Sequence, residues 1–379
     1  TSSLSQFFPT WLNGASGVVA LITVLYLLFY ISWLQFRWGG EEISLLLGNI
    51  LPLPLDLLVA LTAWRVFSQK DLDPKVRRMW LFLSLGISSF FLGDLIWAYY
   101  ENIVGVDAFP SIADIFYLLF PLLMAVGLFI MPSASLSSRE RWSFYFDMAI
   151  ILITIFMSMW YFIIQPTAVT SAGDLLSQII SVAYPIGDLI ILFGIVGGIL
   201  QKPERDTQTA LVYLFAGILF FVSADVAYGY TSLAETYASG GWIDAGWYIG
   251  VALFLFAALR QMYRLPDNSQ DSYWLGRVES FFHILPNISI VAGAILTVSI
   301  VIFNFNSQAT WLITGAMLSI ILLIIRGALD YALQPKFILA FTLTAFMVTS
   351  AISLIYYNNF INQSSQNFRS LVINAANIA

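Results

Sequence analysis

The sequence predicts an all-α polytopic membrane protein of about eleven transmembrane helices, with a parallel tandem repeat of a four-helix unit (4+4) and three further helices. Three observations lead there. Hydrophobic residues make up 59% of the 379 and charged residues only 10%, with mean hydropathy +0.84; a soluble domain carries roughly 25% charged residues. Apolar runs of about 20 residues, enough to cross a hydrocarbon core of about 30 Å, recur along the whole chain. Aspartates embedded in those runs return in the same order in two stretches.

The spans are read at 14–35, 43–67, 78–100, 109–131, 143–164, 173–200, 208–230, 241–262, 282–303, 308–328 and 336–357. The first run, 14–35, lacks preceding basic residues and is long enough to span, so it is not a cleavable signal peptide. The second holds Pro52 and Pro54, which open a helix ladder at that point. Short connections join the following spans, so neighbours pack antiparallel. Four regions result: a first four-helix membrane repeat over 1–136, a second over 137–266, three transmembrane helices over 267–357, and an amphipathic stalk over 358–379. In the stalk, Phe360, Ile361, Phe368, Leu371, Val372, Ala375 and Ile378 recur at helical spacing, a surface through which a homodimer could form. Beginning at Thr1 and ending inside an amphipathic stretch, the chain reads as part of something longer.

Basic residues set the orientation. Arg65, Lys70, Lys75, Arg77, Arg78, Arg139, Arg141, Lys202, Arg205, Arg260, Arg264, Arg277, Arg326 and Lys336 all flank even-numbered connections, 14 of the 16 basic residues. Only Arg37 and Arg369 fall on the other side. The expected topology has a cytoplasmic N-terminus and an extracytoplasmic residue 379.

Laying 43–131 over 173–262 brings three matches into register. Asn49-Ile-Leu-Pro-Leu-Pro-Leu-Asp56 pairs with Ser181-Val-Ala-Tyr-Pro-Ile-Gly-Asp188. Gly93-Asp94-Leu-Ile-Trp-Ala-Tyr99 pairs with Ala224-Asp225-Val-Ala-Tyr-Gly-Tyr230. Ala113-Asp114-Ile-Phe-Tyr117 pairs with Ile243-Asp244-Ala-Gly-Trp247. The offsets are 132, 131 and 130. An even number of spans per unit gives both copies the same orientation, so a pseudo-twofold axis along the membrane normal would relate them.

Asp56, Asp94, Asp114, Asp188, Asp225 and Asp244 are the candidate ligand-binding acids, with Trp97, Tyr117, Tyr228 and Trp247 as the aromatic wall; Tyr184 and Tyr248 lie at the same level. Carboxylates in hydrocarbon must be neutral, hydrogen-bonded, cation-bound or wetted by a cavity. One reading is an outward-facing acidic and aromatic vestibule for a cation, a protonated amine or a polyhydroxy ligand. The other is local: each Asp caps a broken helix, or bonds across helices, above an interfacial aromatic belt. Asp56 and Asp188, shortly after prolines, would accept freed amide hydrogens. Arg326 and Asp330, four apart, suggest an ion pair, and Asp147 favours its helix dipole.

Much chemistry is excluded. The chain has no cysteine and a single histidine, His283, so thiolate and His-rich metal sites are ruled out. Net charge −6 speaks against nucleic acid. No phosphate-binding loop, dinucleotide fingerprint, nucleophile elbow or zincin motif occurs, and the four lysines lie at or beyond span ends, unlike a retinal-linked lysine. No catalytic motif is visible, and no cofactor is indicated.

The run Phe109-Pro-Ser-Ile-Ala-Asp114-Ile-Phe-Tyr-Leu-Leu-Phe-Pro121, following a Gly-Asp span, resembles the multi-spanning N-terminal membrane modules of bacterial signalling proteins, those preceding diguanylate cyclase (GGDEF), phosphodiesterase (EAL) or histidine kinase domains. The resemblance covers about 43–262 and carries over Asp114 alone as a motif position. It implies a sensory input module in a bacterial plasma (inner) membrane, with any enzymatic activity in an output domain. Two other readings stand beside it: a transporter or ion-coupled carrier, suggested by parallel repeats and proline-broken helices, and a pigment- or lipid-binding scaffold, suggested by 16% aromatics.

Overall fold

The computed structural model describes residues 15–36, 38–106, 108–131, 137–170, 175–200, 205–233, 236–237, 241–263, 288 and 317–326. Among these, every regular element is helical. In chain order they are α1 (Ala15–Phe36), α2 (Glu41–Ile50), α3 (Pro52–Phe67), α4 (Pro74–Tyr99), α5 (Ile112–Ile130), α6 (Ser138–Met159), α7 (Gln165–Thr170), α8 (Leu175–Leu200), α9 (Arg205–Leu233) and α10 (Asp244–Tyr263). π-helical turns extend α4 over Tyr100–Val104 and follow α6 over Trp160–Ile164.

Among the described residues, eight stretches are long and apolar enough to cross a membrane: Ala15–Phe36, Leu46–Phe67, Pro74–Val104, Ile112–Ile130, Glu140–Ala168, Leu175–Ile195, Thr207–Ser232 and Asp244–Tyr263. They coincide with the first eight spans read from the sequence. The protein is a multi-pass membrane protein. The last three expected spans and the stalk lie outside the described residues, apart from a short apolar helix, Met317–Arg326, within the tenth. His283 and Asp330 lie outside them too.

The second span breaks where the prolines require. Pro52 cannot donate an amide to the preceding turn and is suited to the first position of a new helix, so α2 stops at Ile50 and α3 starts at Pro52. Pro121 and Pro185, by contrast, lie inside unbroken α5 and α8. Asp73 caps α4, accepting the Lys75 and Val76 amides at 2.7 and 3.4 Å. Gly105 ends its π turn with φ +71°, a left-handed conformation that glycine adopts without strain.

By contacts the chain divides into two compact units, 1–136 with 158–285, and 137–157 with 286–379. In the first unit α4 packs along α5 and α9 along α10, while α5 lies against α8 and α3 against α10. α10 is buried on most of its surface, through Gly250, Val251, Phe254, Leu255, Ala258 and Arg260. α1 presents most of its apolar side chains outward and buries Tyr30, Trp33 and Leu34, with Ala245 and Tyr248 of α10 packed against them. At the centre Phe90 of α4 meets Phe221 of α9 edge-on at 5.0 Å, with Phe120 of α5 4.8 Å from Phe221. In the second unit Arg326 Nε pairs with Asp147 Oδ1 at 2.5 Å. Asp147 is therefore an ion-pair partner and not merely a complement to its helix dipole, and Arg326 is engaged away from its own helix.

Candidate functional site

Asp56 lies on the core face of α3, the face that also buries Leu55, Val59, Ala60 and Ala63, and is 1% exposed. α4 runs alongside and brings Asp94 to it, carboxyl to carboxyl, within hydrogen-bonding range. By the helical rise, each acid sits about 15 Å from the same end of its span, near Leu46 and Val104 respectively. Asp56 and Asp94 are thus at one level.

Tyr117 of α5 donates its hydroxyl to Asp94 Oδ1 at 2.7 Å, and Tyr248 of α10 reaches the same carboxyl. Gly93 makes the first bond feasible: a β-carbon there would stand 2.6 Å from the Tyr117 ring. Asp94 Oδ2 and both oxygens of Asp56 are buried and receive no N–H or O–H among the described residues. The sequence expectation that Asp56 accepts amides freed by the proline break is not met; its polar neighbour is the other acid.

The same motif occurs at α8 and α9. Asp188, 7% exposed, faces Asp225 carboxyl to carboxyl, and Trp247 of α10 donates Nε1–H to Asp225 Oδ1 at 2.8 Å. The rings beside the two sites are arranged alike. Trp97 and Tyr117 are 6.2 Å apart and tilted by 57°; Tyr228 and Trp247 are 5.8 Å apart and tilted by 58°. Indole and phenol have changed places between the two sites.

Asp114 and Asp244 play a different part. Asp114 stands in the first turn of α5 and accepts the Ser111 amide at 2.6 Å, while Ser111 Oγ accepts the Ala113 amide at 3.1 Å. This reciprocal box satisfies two otherwise orphan donors, and Tyr184 of α8 adds a hydroxyl to Asp114 Oδ1 at 2.5 Å. Asp244 opens α10 and accepts the Tyr237 hydroxyl at 3.1 Å. The local reading fits these two. Four of the six acids converge as pairs, and Trp97, Tyr117, Tyr228 and Trp247 sit beside those pairs.

Two residues at the first site carry no mark in the sequence. Tyr26 of α1 donates its hydroxyl to the Leu51 carbonyl. Tyr30, 2% exposed, sets its ring edge-on to Tyr248 at 5.0 Å, and its hydroxyl has no partner among the described residues. Both line a narrow recess with Leu51, Pro52, Leu55 and Tyr248, which has no room for a water molecule. The available signal was two phenols four residues apart, hence on one helix face, within an apolar run.

A carboxyl facing a carboxyl is held together only by a proton or cation between the two oxygens; bare, the contact is repulsive. Among the described residues no group of three or more His, Asp or Glu side chains is arranged to hold a metal ion. No family model matches this chain, nor does any curated protein or solved structure match it.

Proposed function

We propose that this chain is the membrane-embedded sensory input module of a bacterial signal-transduction protein, seated in the plasma membrane with its N-terminus cytoplasmic. It is built from two parallel four-helix repeats related by a pseudo-twofold axis. The observation that carries the reading is the duplicated polar layer. Asp56–Asp94–Tyr117 and Asp188–Asp225–Trp247 each tie together three helices, so a change in what either layer binds is felt by several helices at once. Such a layer is a fit receiver for a signal, because interior charge and packing are costly to rearrange and switch between discrete states.

The repeat reading draws support from packing as well as from sequence. α4 on α5 matches α9 on α10, and α5 on α8 matches α10 on α3. Phe90 and Phe221, 131 positions apart, meet each other, as a residue and its counterpart do beside a twofold axis.

A carrier is the second reading, favoured by the same buried carboxyl pairs and by parallel repeats. Reconstitution of the full chain in sealed vesicles separates the two. An input module leaves an imposed proton or sodium gradient intact, and its tryptophan fluorescence changes when the outer medium is varied in pH, cation, amine or polyol. Dissipation of the gradient, abolished by D94N or D225N, would instead make the chain a carrier.

A further inference from the structure

Among the described residues, three oxygens of the first acid pair have no donor: both of Asp56 and Oδ2 of Asp94. A single hydrogen placed on Asp56 and pointed at Asp94 Oδ2 turns the clash into a hydrogen bond and gives both residues a partner. Asp94 would then hold the remaining negative charge, already served by the Tyr117 hydroxyl at 2.7 Å and approached by Tyr248. A carboxylate with several donors is the member of such a pair that stays ionised.

The surroundings narrow the choice of ligand. Tyr30, 2% exposed and with a hydroxyl that has no partner among the described residues, lies among Asp56, Asp94, Asp244 and Tyr26 and lines a neighbouring recess. That recess, which neither Asp56 nor Asp94 lines, has no room for a water molecule. The titratable and polar groups facing the pair are Tyr26 and Tyr30 from α1, Tyr117 from α5, and Tyr248 and Asp244 from α10. On the α2 side Asn49 is engaged with Glu101 of the π turn at 2.7 Å. None of these is basic, so among the described residues no protein cation balances the pair.

We propose that Asp56 and Asp94 form a binding site for one proton, carried on Asp56 as a neutral carboxylic acid and donated to Asp94 Oδ2, with the Tyr30 hydroxyl as the spare group through which the proton reaches it. The step is a simple protonation: Asp56 carboxylate plus a proton gives the acid, with no other bond changed. The assignment rests on the geometry of this pair and stands or falls independently of the sensory reading.

Infrared spectroscopy of the full chain in lipid nanodiscs, titrated with pH, tests it. The expected result at neutral pH is a deuterium-sensitive carbonyl band from a protonated carboxyl, which D56N reduces by one carboxyl and D94N shifts, because the acceptor changes. On titration to high pH that band disappears and thermal stability falls with it, since two carboxylates are then left in contact; D56N lacks this alkaline loss. Y30F keeps the band and slows its exchange with deuterium. The proposal is overturned if D56N leaves the band area unchanged, or if sodium or potassium at constant pH removes the band, which would make the pair a metal-cation site. Should D56N not fold, an unshifted band in D94N overturns it equally.

Discussion

Single side chains decide how the buried acids are tolerated. Tyr117→Phe removes the hydroxyl that Asp94 Oδ1 accepts, and Trp247→Phe removes the indole N–H on Asp225 Oδ1. Removing one donor from a buried carboxyl oxygen costs about 1–3 kcal/mol. Both variants are therefore expected to melt earlier than wild type in nanodiscs, and an unchanged melting temperature would show that neither bond supports the fold. Tyr184→Phe should cost less, about 1 kcal/mol, because Asp114 keeps the Ser111 amide. The acids themselves were legible in the sequence, since Asp is conspicuous in an apolar run. Their division of labour was not. Asp114 at a helix start and Asp94 deep in a helix look equally anomalous as letters, and only the third dimension sets Asp56 against Asp94 while giving Asp114 a cap. Tyr30 was invisible for a different reason: a tyrosine in a membrane helix is read as an interfacial anchor unless its hydroxyl is seen to be buried.

Between elements, close approach depends on small residues. At the α9–α10 crossing a β-carbon on Gly217 would stand 2.8 Å from the Gly250 carbonyl oxygen and 2.7 Å from the Phe254 ring. The backbone atom cannot swing aside, so Gly217→Ala is expected to force α9 and α10 apart at a cost of about 1–3 kcal/mol. Gly229→Ala, whose β-carbon would meet only the Ile163 side chain at 3.3 Å, is the matched control and should be tolerated. Thermal melting of the pair reads the difference; equal losses would refute the packing argument. Helix positions in the first eight spans were legible because an apolar run of membrane length has few alternatives. So was the break at Leu51, since paired prolines remove two amides within one turn. Which glycines are contacts was not legible: Gly217 and Gly229 carry the same letter, and the neighbour across the crossing distinguishes them.

At the scale of the whole molecule, the asymmetry of basic residues predicts the sidedness. The chain has no native cysteine, so single cysteines can be read without background. Ser68→Cys, on an exposed position after α3, is expected to be labelled only from the cytoplasmic side, and Val106→Cys, exposed beyond Val104, only from outside. The reverse pattern would invert the proposed orientation. The ordered Asp positions were legible in the sequence, yet it hid how the helices that carry them interlock, with α5 on α8 and α10 on α3, because packing partners far apart in the chain leave no periodic trace. The exchange of Tyr117 for Trp247 has a further consequence. A phenol both gives and receives a hydrogen bond, whereas an indole N–H can only give. With its hydrogen given to Asp94, the Tyr117 oxygen keeps a lone pair with which to accept, whereas Trp247, having given its N–H to Asp225, has nothing left to accept with. Two sites alike in shape thus differ in what they can take up next: one can still accept a donor at its ring partner, the other cannot.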